Sequence, residues 1–387
     1  MLVANVLCAQ TTLKSVKSLE GAYFNSSCGD DRLGGSKIGF LDKDILLQVE
    51  QKSDSLSAEE PLYKVILSSN RYAFIPKEMV ADTLVADSTA FVPCASSSVR
   101  AFNEGGYDRV KIALPAKRPY IVRESSSPRQ LIIELFGVQN NSNWIVQQLN
   151  LKSVENIEAV QSDSDVLTLI VNLKSKTSWG YSVKYDETTL VVDIKDTPEL
   201  TLKGMVVGID AGHGGQQSRG AIARRSKIAE KDLNLSMARM LKAELEAKGA
   251  RVVMSRSDDS GVTMSDRKQI FLDNNVDMMI SIHCNAGGGT AHGTSTYYKH
   301  IQNRELAKSI LERLVELDGV DMFGLVGNFN FSLNAPTEYP AVLVETLFLS
   351  YGPDEELIIN PKFQKSMMKK VREGIEDYLK YCKKLEK

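Results

Sequence analysis

Four side chains able to support hydrolysis stand at the edges of apolar segments. His213 follows "VVGID", His283 follows "MMISI", Glu345 follows "AVLV", and Glu230 opens an amphipathic stretch. Two histidines and one carboxylate make a zinc set whose fourth position is kept for water or substrate. Zinc lowers the pKa of its water to about 7, which supplies a nucleophile at neutral pH. A carboxylate outside that set can take the proton and pass it to a leaving amine. The chain offers one carboxylate more than the ion needs, as a hydrolase requires. Around His213 the run "AGHGG" is followed by Gln216 and Gln217, not by the Lys and Ser/Thr of a phosphate loop. Those glycines read as keeping other side chains away from an imidazole that must be reached.

Each residue also has a plainer reading. His213 can fill a glycine turn, His283 can be a satisfied core histidine, and Glu230 can be a carboxylate favoured at a helix N-terminus. Only Glu345, ending an apolar strand where an unpaired carboxylate is costly, points to function alone. In open α/β sheets ligands gather beyond the strands' carboxyl ends, and convergence of all four residues there favours one metal site.

The elements that must hold these residues alternate between strand and helix from Lys203 onward. "MVVGID", "ARVVMS", "DMMISIH", "GTSTYY" and "AVLVE" read as strands. Leu233, Met237, Met240, Leu241 and Leu245 form one helical stripe that stops at Gly249. Thr263 with Asp266 caps a second helix running to about Asn275, and further helices fall at 301–317 and 362–384. Between "TYY" and "PAVLVE" there is room for one helix and a loop.

The first half reads differently. Residues 1–12 look like the back half of a signal peptide without its basic start. Short strands punctuated by glycine span 20–82, a small polar linker covers 83–106, and alternating strands occupy 107–197. Val110, Ile112 and Leu114 share a face, as do Leu131, Ile133 and Leu135; Trp179, Tyr181, Val183 and Tyr185 alternate likewise. The expected architecture is multidomain: two all-β domains, a small barrel and a β-sandwich, precede an α/β domain at 203–384.

Three resemblances sharpen this reading. Lys37-Ile38-Gly39 and Tyr63-Lys64-Val65 resemble the marks of bacterial SH3-like domains. "YIVRESSSPRQLIIELFG" resembles the AMIN domain that precedes many cell-wall amidases, with Glu134 where Asp is usual. "VVGIDAGHGG…EKDLNLSMARML", "SRSDD…SIHCNA…HGTSTYY" and "PAVLVETLFLS" resemble the amidase_3 family of zinc-dependent N-acetylmuramoyl-L-alanine amidases over about 204–381.

That last resemblance implies a twisted mixed sheet flanked by helices. It implies one Zn2+ held by His213, Glu230 and His283, with Glu345 catalytic. The bond cut would be the amide between the lactyl group of N-acetylmuramic acid and L-alanine of the stem peptide. It further marks Asn285 and His292 as substrate-binding candidates, and Arg256 and Arg267 as structural ion-pair partners. Cys284, next to His283, should face the core. Ala211, Leu347 and Tyr351 depart from the family pattern. Many relatives carry a helical plug, which the 299–339 interval has no room for, so activity should not depend on displacing one.

Bulk properties limit partners and compartment. The 387 residues carry a net charge of -2 and no long basic run, which argues against nucleic acid. No stretch approaches the roughly 20 apolar residues of a membrane span. The five cysteines include no CxxC pair, so a thiolate zinc site is not expected; Cys28 and Cys94 could pair if the chain is exported. "HExxH" and G-x-S-x-G are both absent, which argues against other zinc peptidases and serine hydrolases. The expected protein is a bacterial peptidoglycan hydrolase, exported to the periplasm or cell wall, with a protein activator left open. The alternative is a catalytically silent or partner-activated peptidoglycan-binding scaffold.

Overall fold

A computed structural model describes residues 11–27, 37–52, 61–83, 92–288 and 290–387. Residues 1–10 of the candidate signal segment, and Cys28, lie outside the described residues. The chain divides into two compact units, one of 1–174 with 182–194 and one of 175–181 with 195–387.

The first unit is all β. Its opening sheet is antiparallel, and the strand Thr11–Ser18 sits inside it, between Leu46–Lys52 and Val80–Asp82. The small β domain therefore includes residues ahead of 20, because Val16 supplies a fully buried core side chain. The expected linker 83–106 likewise contains a strand, Val99–Glu104, whose Val99 and Ala101 are buried under the sandwich. Serines and glycines around this short alternation mask it in the sequence. A five-stranded and a four-stranded sheet follow. Val110, Ile112 and Leu114 are buried, as are Leu131, Ile133 and Leu135. Glu134 has a local explanation: its carboxylate accepts hydrogen bonds from both Arg71 and Arg123.

The second unit is a six-stranded mixed sheet with five helices among the described residues. Its strands are β1 (Val206–Ala211), β2 (Arg251–Met254), β3 (Met278–Asn285), β4 (Thr294–Tyr297), β5 (Met322–Val326) and β6 (Ala341–Phe348). They lie in the order β2-β1-β3-β6-β4-β5, parallel except where β4 meets β6 antiparallel. The edge strand β5 falls where only a helix and a loop were expected. The helices are α1 (Glu230–Glu246), α2 (Met264–Asp273), α3 (Arg304–Leu314), α4 (Gly352–Ile358) and α5 (Pro361–Leu385). Thr263 caps α2 by accepting from the Asp266 amide at 3.1 Å.

Strand alternation divides the two faces of this sheet. Val207, Ile209, Ile280, Ile282, Cys284, Val342 and Val344 join α1, α3 and α5 in the larger core. The opposite face starts apolar, with Met279 and Ala341 against Phe271 of α2. Further along the strands it turns polar, through Asp210 and Ser281 to His283 and Glu345. Trp179 is a correction to the sequence reading. It does not lie on a sandwich strand but is buried in this second core, its ring 5.9 Å from Tyr378. Gly180 follows at φ 117°, and a Cβ there would fall 2.1 Å from the Glu338 carbonyl oxygen. Beyond it the Tyr181 amide donates to Thr337 O at 2.8 Å, and Thr337 Oγ1 donates back to Tyr181 O at 2.9 Å.

Candidate metal centre and active site

His213, Glu230 and His283 converge, with one donor atom from each lying within 4.8 Å of the others. His213 leaves the end of β1 in the left-handed region, φ 62°, a conformation that costs a non-glycine residue free energy and clusters at functional sites. Its Nε2 is 3.2 Å from Glu230 Oε2, and His283 Nδ1 is 3.0 Å from Glu230 Oε1. Glu230 is buried at the first turn of α1 and is further held by the Ala221 amide at 2.8 Å and by Asn234 Nδ2 at 3.1 Å. Burial alone would raise its carboxyl pKa. The hydrogen bonds from the two imidazoles outweigh burial and hold it well below the usual carboxylate range.

Space around these groups is kept by glycines, of which Gly212 belongs to the run around His213 and Gly220 does not. A Cβ on Gly212 would fall 2.3 Å from His283 Nε2, and one on Gly220 would fall 2.4 Å from Glu230 Oε2. Gly214 instead abuts the Ser260 backbone.

A buried polar layer fixes the loop beneath. Asp210 is fully buried and takes Arg267 Nη1 at 2.6 Å, Ser255 Oγ at 2.7 Å and Ser281 Oγ at 2.7 Å. Arg267 also donates to the His213 carbonyl at 2.5 Å, so the expected ion pair is present and reaches the loop. Arg256 differs from the expectation. Its guanidinium binds the carbonyls of Ala211, Gly212, Asp258 and Lys231 and has no carboxylate hydrogen-bond partner among the described residues.

His283 and Glu345 lie within their strands, which continue past them, and they are direct register partners on β3 and β6. Glu345 Oε2 is shut from solvent without a hydrogen-bond partner among the described residues, and so is His283 Nε2. Burial raises the Glu345 carboxyl to about 7, helped by the negative charge of Glu230 and opposed by His283. Such a group holds or releases a proton near neutrality, as an acid–base catalyst must.

The other candidates are placed as follows. Asn285 points its amide at the Tyr297 hydroxyl, 3.5 Å away. His292 binds Thr290 O at 2.7 Å and the Asp321 carboxylate at 3.3 Å, and its ring stacks on Tyr351 at 4.8 Å. Those neighbours, and not the His213–Glu230–His283 cluster, are what its ring meets. Cys284 is buried on the far face, with Sγ 3.3 Å from Thr346 Oγ1. Phe331, which the sequence reading missed, places its ring edge-on to His283 with centroids 5.7 Å apart. It sits in a loop without periodicity, so no local pattern marks it.

An imidazole–carboxylate–imidazole cluster with an orphaned buried ring nitrogen suits a divalent cation of the zinc type. Fold and site together define an α/β protein with a three-residue cluster able to hold a metal ion and a separate carboxylate beside it. Residues 207–377 match the family described as N-acetylmuramoyl-L-alanine amidase, and 98–194 match the AMIN domain. The YqiI protein of Bacillus subtilis (strain 168) is 33% identical over 46% of this chain and 86% of its own length. The probable cell wall amidase LytH of Staphylococcus aureus is 30% identical over 46% of this chain, which spans 59% of LytH. A solved N-acetylmuramoyl-L-alanine amidase from Clostridium difficile 630 is 35% identical, with TM-score 0.44, over 46% of this chain and 98% of that one. The chain belongs to the N-acetylmuramoyl-L-alanine amidase family. No described helix is long and apolar enough to cross a membrane.

Proposed function

We propose that the protein hydrolyses the amide between the lactyl group of N-acetylmuramic acid and L-alanine of the peptidoglycan stem peptide. His213, Glu230 and His283 would hold one zinc ion, and Glu345 is the catalytic carboxylate. The observation that carries this reading is Glu345 itself. It is a half-buried carboxylate with one oxygen shut from solvent and unpartnered among the described residues, in register with His283 and beside a cluster that can bind a cation.

When bound, zinc supplies Lewis-acid polarisation and lowers the pKa of water. The protein's own residues do the rest. Glu345 takes up a proton at its carboxylate and returns one to the nitrogen of the departing L-alanine, so that the product leaves as a neutral amine. Phe331 packs its ring edge-on against His283, and Arg267 with Asp210 keeps the His213 loop in place. Peptidoglycan is the partner this chemistry requires, which places the enzyme in the periplasm or cell wall of a bacterium. The AMIN-like sandwich is suited to holding it there.

The test is digestion of purified peptidoglycan by zinc-loaded protein, with Glu345→Gln alongside, read by mass spectrometry. Stem peptides beginning at L-alanine, released by the wild type alone, are the expected result. If neither protein releases peptide while both retain one zinc, the scaffold or partner-activated reading replaces this one.

A further inference from the structure

The sheet face that carries Glu345 holds polar side chains that the proposed chemistry leaves unused. Register places them. Ser295 on β4 lies directly opposite Glu345 on β6, as His283 on β3 does from the other side. Directly paired residues point to the same face, so His283, Glu345 and Ser295 form one row across three neighbouring strands. Tyr297 stands two residues beyond Ser295, on that same face. Its ring packs against Phe329 with centroids 4.8 Å apart, and its backbone carbonyl is held by Asn334 Nδ2 at 3.1 Å.

The hydrogen bonds at the Tyr297 hydroxyl run one way. Ser295 Oγ donates to it at 3.4 Å and Asn285 Nδ2 donates to it at 3.5 Å. A phenol has one proton of its own, and neither of these long bonds uses it. On the same face, Glu345 Oε2 is shut from solvent and accepts from nothing among the described residues. Both neighbours can thus donate to the hydroxyl, which leaves its own proton to give on the face of the proposed catalytic carboxylate.

We infer that Tyr297 is a further catalytic residue, whose hydroxyl donates a hydrogen bond to the carbonyl oxygen of the scissile amide; this rests on the function proposed above. Attack on an amide carbon moves negative charge onto that oxygen, and a donor already in position stabilises it without reorganising. The proton stays on the phenol throughout, and no bond of the tyrosine breaks. Burial, together with the charge of Glu345, raises the Tyr297 pKa and keeps it a donor at working pH. Asn285 and Ser295 then act as positioning residues that aim the hydroxyl.

The experiment compares wild type, Tyr297→Phe, Ser295→Ala and Glu345→Gln as zinc-loaded full-length chains on a soluble disaccharide-peptide from peptidoglycan. Metal content and melting temperature are followed in parallel. Tyr297→Phe removes only the hydroxyl and should lower kcat by about 10²-fold, the usual loss for one such donor. KM should stay within about threefold of wild type, and zinc should be retained. Ser295→Ala should lower kcat several-fold with the same unchanged KM. Should Tyr297→Phe melt early or lose zinc, Ser295→Ala decides alone: a kcat loss supports the inference, and an unchanged kcat overturns it. If Tyr297→Phe turns over like wild type while Glu345→Gln is inactive, Tyr297 is packing only and the amidase reading stands. If Glu345→Gln is as active as wild type, the reading beneath the inference fails first.

Discussion

At the scale of single residues, this site is built by subtraction as much as by placement. Gly212 leaves the volume that His283 occupies, since a methyl group there would overlap the imidazole at 2.3 Å. Gly212→Ala should therefore displace the ring and weaken zinc binding by at least tenfold, which calorimetric titration with the metal would measure. The electrostatics at this scale give a pH dependence. Burial would raise the Asp210 carboxyl, but Arg267, His283 and the hydroxyls of Ser255 and Ser281 lower it below the ordinary aspartate value. With the folded pKa depressed, the stabilisation is present above the unfolded value of about 3.9 and is lost as pH falls through and below it. Denaturant midpoints should thus decline between about pH 5 and 3, and Asp210→Asn should flatten that decline while costing about 3–5 kcal/mol at neutral pH. His213, Glu230, His283 and Glu345 were legible as candidates because unlike residues beside four apolar segments suggested one purpose. Phe331 and the one-way hydrogen bonding at Tyr297 were not, because neither follows from spacing along a single element.

At the scale of elements, register does what composition could not. His283 and Glu345 are about sixty residues apart in sequence, yet β3 and β6 pair so that the two stand side by side. β4, antiparallel to β6, then brings Ser295 to the same level. The segment 175–181 shows how far tertiary packing can override a local pattern. Trp179 continues the alternation of a sandwich strand in the sequence, but its large ring has a better-filled site beside Tyr378 in the second core. Gly180 permits this excursion through a backbone conformation and an approach that a side chain would block. Gly180→Ala should destabilise the second unit by about 2–4 kcal/mol through backbone strain and overlap. Its denaturant midpoint, compared with wild type, checks this, and a shift below 0.5 kcal/mol would show that the strap yields easily. The hydrogen bonds from Tyr181 and Thr337 tie this segment to the loop that also carries Phe331, so the same variant tests how firmly that ring is held.

At the scale of the whole molecule, two units with separate cores divide the work. The second holds the candidate metal centre, and only a ligand that binds the folded state can raise its stability. At free zinc one hundredfold above its dissociation constant the gain is about 2.7 kcal/mol. Thermal unfolding with and without zinc should show that gain in the second unit, with chelator reversing it and His283→Ala abolishing it. The first unit, with no part in holding the ion, should melt unchanged.

The order of all-β regions before an α/β region, the candidate residues His213, Glu230, His283 and Glu345, and the caps and stripes of the helices could be read from the chain alone. These follow from local chemistry and short-range periodicity, which sequence carries directly. Tertiary structure alone decided that Thr11–Ser18 and Val99–Glu104 are sheet strands, that Trp179 serves the second core and that Arg256 binds carbonyls. It also decided that Ser295 joins the row of His283 and Glu345, with Tyr297 two residues along on the same face. Each of these depends on which distant strand supplies the pairing edge or the cavity, and that choice is made by packing across the whole unit.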